Sequence, residues 1–206
     1  MHRNSQLLFE KYARPHFRAG LRVLEIGPDA APSTYQTCVN DPSIVWDTLD
    51  FPSRPFPLTH RLESEYRFPI PDGAYDLVFS GQVIEHVRKI WVWMREVARV
   101  TRPGGLVITI NPVSWPYHEA PVDCWRIFPE GMRALYDDAG LEVIESVWDS
   151  LEADGNKWTI PGRSPEWQHT QVRWMNRVMG WFGYPREYAY DAVTIGKRAD
   201  VRKDAG

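Results

Sequence analysis

The run Arg22-Val23-Leu24-Glu25-Ile26-Gly27-Pro28-Asp29 constrains this chain more than any other stretch. Arg22 to Ile26 has the apolar character of a short buried strand with one carboxylate near its end, and Gly27-Pro28 stops it in a tight turn. Glycine at the carboxyl end of an early strand lets backbone approach a ligand that a Cβ would keep away, and in an open α/β sheet that end faces the ligand crevice. Three later stretches extend the pattern. Ser43 to Asp50 reads as a second strand whose last residue is acidic, at the spacing of about 20 residues where a carboxylate reaches ribose hydroxyls. Tyr75 to Ser80 runs into Gly81-Gln82-Val83-Ile84-Glu85-His86-Val87, and Leu106 to Ile110 follows the turn Arg102-Pro103-Gly104-Gly105.

Taken in order, these pieces resemble the class I S-adenosylmethionine-dependent methyltransferases of the small type-11 group. The matching residues are Leu24 to Gly27, Asp50, Phe68 to Val78, Val83 to Val87 and Arg99 to Gly105, within a span of 21–147. The resemblance implies a Rossmann-like α/β sandwich: a mostly parallel seven-stranded sheet with helices on both faces. It also implies S-adenosyl-L-methionine as methyl donor, S-adenosyl-L-homocysteine as product and no metal. Glu25, Gly27, Asp29 and Asp50 are then the expected cofactor positions, followed by Ser80, Gly81 and Gln82 where the methionine moiety passes. Glu63 and Glu65 are candidates for receiving the adenine amino group, or are solvated surface charges. Asp29 and Ala31 depart from the family, which has further glycines there; Asp tolerates left-handed backbone better than most residues, and Ala31 is small.

At 206 residues the chain fits a single domain, 1–206. A net charge of -3 argues against a nucleic-acid substrate, since phosphate binding normally shows as a basic excess. Cys38 and Cys124 stand far apart with no partners at metal spacing, so neither a disulfide framework nor a zinc site is implied. The apolar runs are strand-length, which makes stable membrane insertion unexpected and a cytoplasmic location the expectation.

A first helix containing Leu7, Leu8, Lys11 and Tyr12 is expected across the sheet edge, and a second from Ala31 to Cys38, with Pro32 in its first turn and its N–H groups facing the methionyl carboxylate. The proline-rich stretch Phe51 to Pro71 reads as a loop over the cofactor side. Ile90, Trp93, Met94 and Val97 recur at helical steps within a helix expected from Glu85 to Val100. Pro129 to Ala139 reads as a helix and Leu141 to Val147 as a strand, and the resemblance puts the family's last strand at Tyr188 to Gly196. Between those strands lies an insertion, 149–187, in which Trp167, Trp174 and Trp181 recur every seven residues and share one helical face. It reads as a lid, a packing element or the contact of a homodimer.

Methyl transfer from a sulfonium is an in-line displacement, so the protein must align the acceptor and, for a hydroxyl, take a proton. The loop Asn111 to Phe128 crowds Trp115, Tyr117, His118, Asp123, Trp125 and Arg126 after a central strand, which suits one wall of a small-molecule pocket. His118 and His86 are the candidate bases; Asp123 and Arg126 either orient His118, bind a polar substrate or form loop-internal hydrogen bonds or an ion pair. The expected function is methyl transfer to a small acceptor such as a natural product, sugar or other metabolite, with O-methylation favoured. Two alternatives stand beside it: a methyltransferase-like protein that binds without turnover, and a nicotinamide-dependent oxidoreductase. The latter lacks the three-glycine fingerprint and leaves Glu85-His86-Val87 unexplained.

Overall fold

The structure, a computed structural model, describes residues 3–115, 117–119, 122–151, 178, 181 and 190–200. Helix α1, Arg3–Leu8, continues through a wider turn, Phe9–Ala13, and a tight one, Arg14–His16. Then come β1 (Arg22–Ile26), α2 (Thr34–Val39), β2 (Val45–Asp50), the two-residue β3 (His60–Arg61) and β4 (Tyr75–Gly81). After these follow α3 (Ile90–Val100), β5 (Thr101–Ser114), α4 (Pro129–Asp138), β6 (Leu141–Asp149) and β7 (Tyr190–Arg198). The strands form one seven-stranded sheet in the order β3-β2-β1-β4-β5-β7-β6. Pairings are parallel from β3 to β5, whereas β7 runs antiparallel to both β5 and β6. Strand order reverses between β1 and β4, and the crevice at such a reversal is where open α/β sheets hold ligands.

Because successive strand residues point to opposite faces, the central strands feed two cores. Leu24, Ile26, Leu49, Val78 and Val107 meet Trp93, Met94 and Val97 of α3 and Met132, Leu135 and Tyr136 of α4. On the other face Val23, Leu77, Phe79, Ile108 and Ile195 meet Leu8, Phe9, Ala13 and Tyr35. The first helical segment therefore lies on a face of the sheet, not across its edge, because Leu8 and Phe9 are fully buried over the central strands.

Other expectations are also revised. Residues Ile84–His86 form a separate tight turn and Val87 is extended, so α3 starts only at Ile90. Pro32 precedes the N-cap Ser33 and lies outside α2. The Pro-Gly-Gly turn sits inside β5: Thr101 pairs with Tyr75, pairing resumes at Leu106 with Leu77, and Gly104 takes φ +74° in the bulge between. The proline-rich loop is clamped by Arg99, which donates to the carbonyls of Phe68 and Ile70 while paired with Glu96 and Asp72. Trp167 and Trp174 lie outside the described residues, as does most of the insertion; Trp181 is exposed. Among the described residues no helix is long and apolar enough to cross a membrane.

Gly27 has φ +73°, and a Cβ there would run into Cγ2 of Val83. Gly27→Ala should therefore combine left-handed strain with overpacking and lower unfolding stability by about 1–3 kcal/mol. Urea denaturation monitored by tryptophan fluorescence measures this, and an unchanged midpoint would contradict the packing described.

Candidate functional site

Strand register brings the expected cofactor positions to one level. Ile26 lies opposite Leu49 on β2 and Ser80 on β4, so Gly27, Asp50 and Gly81 leave three adjacent strand ends together. The glycines are required by the protein's own packing. Gly27 accommodates Val83 and donates its N–H to the Leu49 carbonyl at 2.9 Å, while a Cβ on Gly81 would come within 2.6 Å of the Tyr35 hydroxyl.

Each acidic position has a distinct environment. Glu25 is 1% exposed and accepts from Ser33 Oγ at 2.5 Å and Trp46 Nε1 at 2.8 Å. Burial pushes its carboxyl up to about 7, although both hydrogen bonds favour the charged form. Asp29 is exposed and accepts from the Thr34 N–H at 2.9 Å and hydroxyl at 2.6 Å; partial burial opposes its charge, but these bonds prevail and hold its carboxyl below the ordinary range. Its backbone is not left-handed, so the tolerance invoked from the sequence is not needed: the Asp29 carboxylate takes the first amide of α2, beside the N-cap Ser33. With Gln36 N–H bonded to Ser33 Oγ, two of the first amides of α2 already have partners, contrary to their expected role toward a methionyl carboxylate. Asp50 accepts from the Phe51 N–H at 2.7 Å and from Arg54 Nε at 2.5 Å. Glu63 is exposed and Glu65 half-buried.

Ser80 is buried beside Gly81, and Gln82 takes φ +59°. The Gln82 amide donates to Asp191 Oδ1 at 2.9 Å and to Ser5 Oγ at 3.3 Å, and its Oε1 is buried without a hydrogen-bond partner among the described residues. Asn4 Nδ2 donates to Asp191 Oδ2 at 2.7 Å, and Ser5 bonds the Tyr35 hydroxyl at 2.7 Å. Sequence reasoning missed Asn4, Ser5, Tyr35 and Asp191. The visible signal was Asp191, an acid inside an apolar strand run.

Around the candidate bases, the loop after β5 brings His118 against His86, with ring centroids 5.1 Å apart and planes at 87°. His86 Nδ1 lies 2.5 Å from the Val122 carbonyl. Asp123 accepts the His118 backbone N–H at 2.9 Å, stands 3.3 Å from His118 Nδ1 and receives both terminal nitrogens of Arg126 at 2.5 and 2.6 Å. Burial opposes the Asp123 charge, but Arg126 and the His118 N–H outweigh it and hold the carboxyl at about 2. The structure thus unites His86, His118 and Asp123. Tyr117 departs from the expected wall: it is 68% exposed and bonds Glu119.

Beneath the two rings lies Glu85, 1% exposed, with neither carboxylate oxygen hydrogen-bonded among the described residues. Burial pushes its carboxyl up to about 8. Its backbone carbonyl receives Cys124 N–H at 2.7 Å, and the Val87 carbonyl receives Trp125 Nε1 at 2.8 Å, so this segment anchors the loop.

Comparison with known proteins adds to this geometry. Residues 30–109 match a family model described as a methyltransferase domain. A 2-methyl-6-phytyl-1,4-hydroquinone methyltransferase of Synechocystis is 29% identical over 125 residues, covering 55% of this chain and 38% of that protein. The uncharacterized protein YafE of Escherichia coli is 30% identical over 113 residues, covering 48% and 53% respectively. The chain thus spans between 38% and 53% of the length of these curated relatives. Among solved structures, a SAM-dependent methyltransferase from Archaeoglobus fulgidus superposes with a TM-score of 0.59 at 15% identity, with 94% of each chain covered; at that identity the likeness shows the fold.

The Glu25 environment has a pH consequence. The folded carboxyl keeps its proton to about 7, whereas in the unfolded chain it loses it near 4.5, so between these values the folded state binds more protons and stability falls as pH rises. Glu85 shifts in the same direction, which makes a variant comparison necessary. Glu25→Gln should gain stability relative to the parent on going from pH 5 to pH 8, as measured by urea denaturation. A difference that is constant across that range would contradict the raised value.

Proposed function

We propose that this chain, which matches a methyltransferase domain over residues 30–109, is a class I S-adenosylmethionine-dependent methyltransferase that transfers a methyl group from S-adenosylmethionine to a small-molecule acceptor. The observation carrying this reading is the convergence of Gly27, Asp50 and Ser80-Gly81-Gln82 at the strand-order reversal. The residues fit such a ligand: Asp50 presents a carboxylate at the end of β2, and the buried Oε1 of Gln82, without a hydrogen-bond partner among the described residues, is an acceptor just after β4. S-adenosylmethionine bound there supplies a methyl on sulfonium sulfur, released by in-line displacement with a neutral thioether as leaving group.

The protein's part is alignment and proton handling. Asp50 would take the ribose hydroxyls, which requires Arg54 to release it. Glu25 would act indirectly, holding Ser33 and Trp46 in place. The loop containing His118 forms one wall of the acceptor pocket, with Trp115 and Trp125 excluding water. For a hydroxyl acceptor His118, backed by Asp123, is the group placed to receive the proton, with His86 beside it. A hydroxyl on a small metabolite is the favoured acceptor. The Arg54–Asp50 ion pair also favours a second reading, a methyltransferase-like protein that binds partners without turnover. The segment 149–187 is assigned to the single domain as a lid, packing element or dimer contact.

Asp50→Ala should weaken S-adenosylmethionine binding roughly tenfold or more, as expected for loss of charge-assisted hydrogen bonds. Arg54→Ala should strengthen it by removing the competing partner. Isothermal titration measures both, and equal affinities in all three proteins would remove the ribose assignment. With an acceptor identified by mass-detected methylation of a metabolite library, His118→Ala should lower turnover by ~10² to 10⁴ while cofactor affinity stays near its original value. Full turnover in that variant would place the acceptor chemistry elsewhere, and absence of turnover across the library would favour the second reading.

A further inference from the structure

We propose that Glu85, His86 and His118 form a binding site for a divalent transition-metal ion, zinc by its donor set. One carboxylate oxygen and one nitrogen from each ring lie within 4.8 Å of one another. Two imidazoles and a carboxylate with one position left open is a recurrent catalytic zinc arrangement. Zinc–ligand distances of about 2.0–2.2 Å in a tetrahedron put donor atoms about 3.4 Å apart. His86 Nε2 is already 3.8 Å from Glu85 Oε1, so small side-chain rotations close the set.

An independent observation points to the ion. A carboxylate excluded from water needs a proton, a donor or a cation, and Glu85, at 1% exposure, has no hydrogen bond to either oxygen among the described residues. The rings also carry the oxygen partners that orient metal-bound imidazoles. His86 Nδ1 faces the Val122 carbonyl at 2.5 Å, which leaves Nε2 for the ion, and His118 Nδ1 faces the Asp123 carboxylate at 3.3 Å.

Metal spacing was not visible in the sequence, because the ligands come from a turn after β4 and from the loop after β5. Binding of the ion stands apart from the methyl-transfer reading; only the ion's use rests on it. In that use, the open position takes an acceptor hydroxyl and favours loss of its proton to water. His118 then holds the ion in place of receiving the proton.

The test uses the intact chain, stripped with chelator, dialysed and titrated with zinc chloride. The expected result is one zinc per chain at micromolar affinity or tighter, with Glu85→Gln and His118→Ala each weakening it at least tenfold. Failure of stoichiometric uptake, or uptake unaltered in both variants, overturns the proposal. Should either variant fail to fold, X-ray absorption of the zinc-loaded parent decides: two imidazoles and a carboxylate support the site, and a shell without imidazole removes it. Zinc uptake by a protein that neither binds S-adenosylmethionine nor methylates would leave this site standing and sink the methyl-transfer reading. Turnover in a protein that takes up no zinc would do the reverse.

Discussion

Burial of the Glu25 carboxylate is the constraint on which the carboxyl end of the parallel strands depends. At 1% exposure it cannot be left without partners, and the two it has come from different elements: the hydroxyl that caps α2 and the indole of Trp46 on β2. One side chain therefore ties the end of β1 to the start of the next helix and to the neighbouring strand. Gly27 completes the junction. Its left-handed backbone turns the chain, and its missing Cβ leaves room for Val83, which follows β4. The crevice expected to hold a ligand is thus shaped by the protein's own hydrogen bonds and packing.

A second polar assembly ties the first helix to the same end. Asp191, fully buried on β7, receives amides from Asn4 and Gln82, while Ser5 bonds Tyr35, the residue that makes glycine necessary at position 81. Gln82 holds a left-handed backbone conformation uncommon for its type, and the side-chain bonds to Asp191 and Ser5 help fix it there. Displacing α1 would therefore disturb the end of β4 directly. Phe9 adds an apolar tie, packing against Tyr35 and Phe79 with ring centroids 4.7 and 5.1 Å away.

Strand periodicity and turn residues made the fold legible: the strands ending at Ile26, Asp50 and Gly81 were found within a residue or two, because buried parallel strands bounded by Gly and Pro leave a strong local pattern. Interactions between distant residues left no such pattern. Nothing near Asp29 in the sequence announces that its carboxylate caps Thr34, and nothing near Asp50 distinguishes a carboxylate open to ribose from one held by Arg54. Periodicity also extended the α3 pattern too far back, since Glu85 fits a helical heptad as well as it fits a turn that buries it. The sequence suggests a pairing of Asp123 with His118 within one loop, but the proximity of His86 depends on the loop after β5 folding back onto the Glu85 segment.

Glu25, Asp191, Asp123 and Glu85 can be separated by how each carboxylate is satisfied. Glu25 has a hydroxyl and an indole, Asp191 has two amides, and Asp123 has a guanidinium and a backbone N–H. Each of these partners fixes one piece of chain against another, which is a structural use of buried polarity. Glu85 is different: neither carboxylate oxygen is hydrogen-bonded among the described residues, Oε1 standing 3.8 Å from His86 Nε2, while its backbone carbonyl anchors the loop at Cys124. A fold that needed only the anchor would be served by any apolar side chain at that position, since replacing a buried unpaired acid by a hydrocarbon removes a desolvation cost. Keeping an acid there beside two imidazoles is a local violation of packing logic, and such violations belong where a protein does chemistry. This corner is therefore centred on Glu85 and its two histidines, with Asp123 and Arg126 as the frame that holds His118 in place.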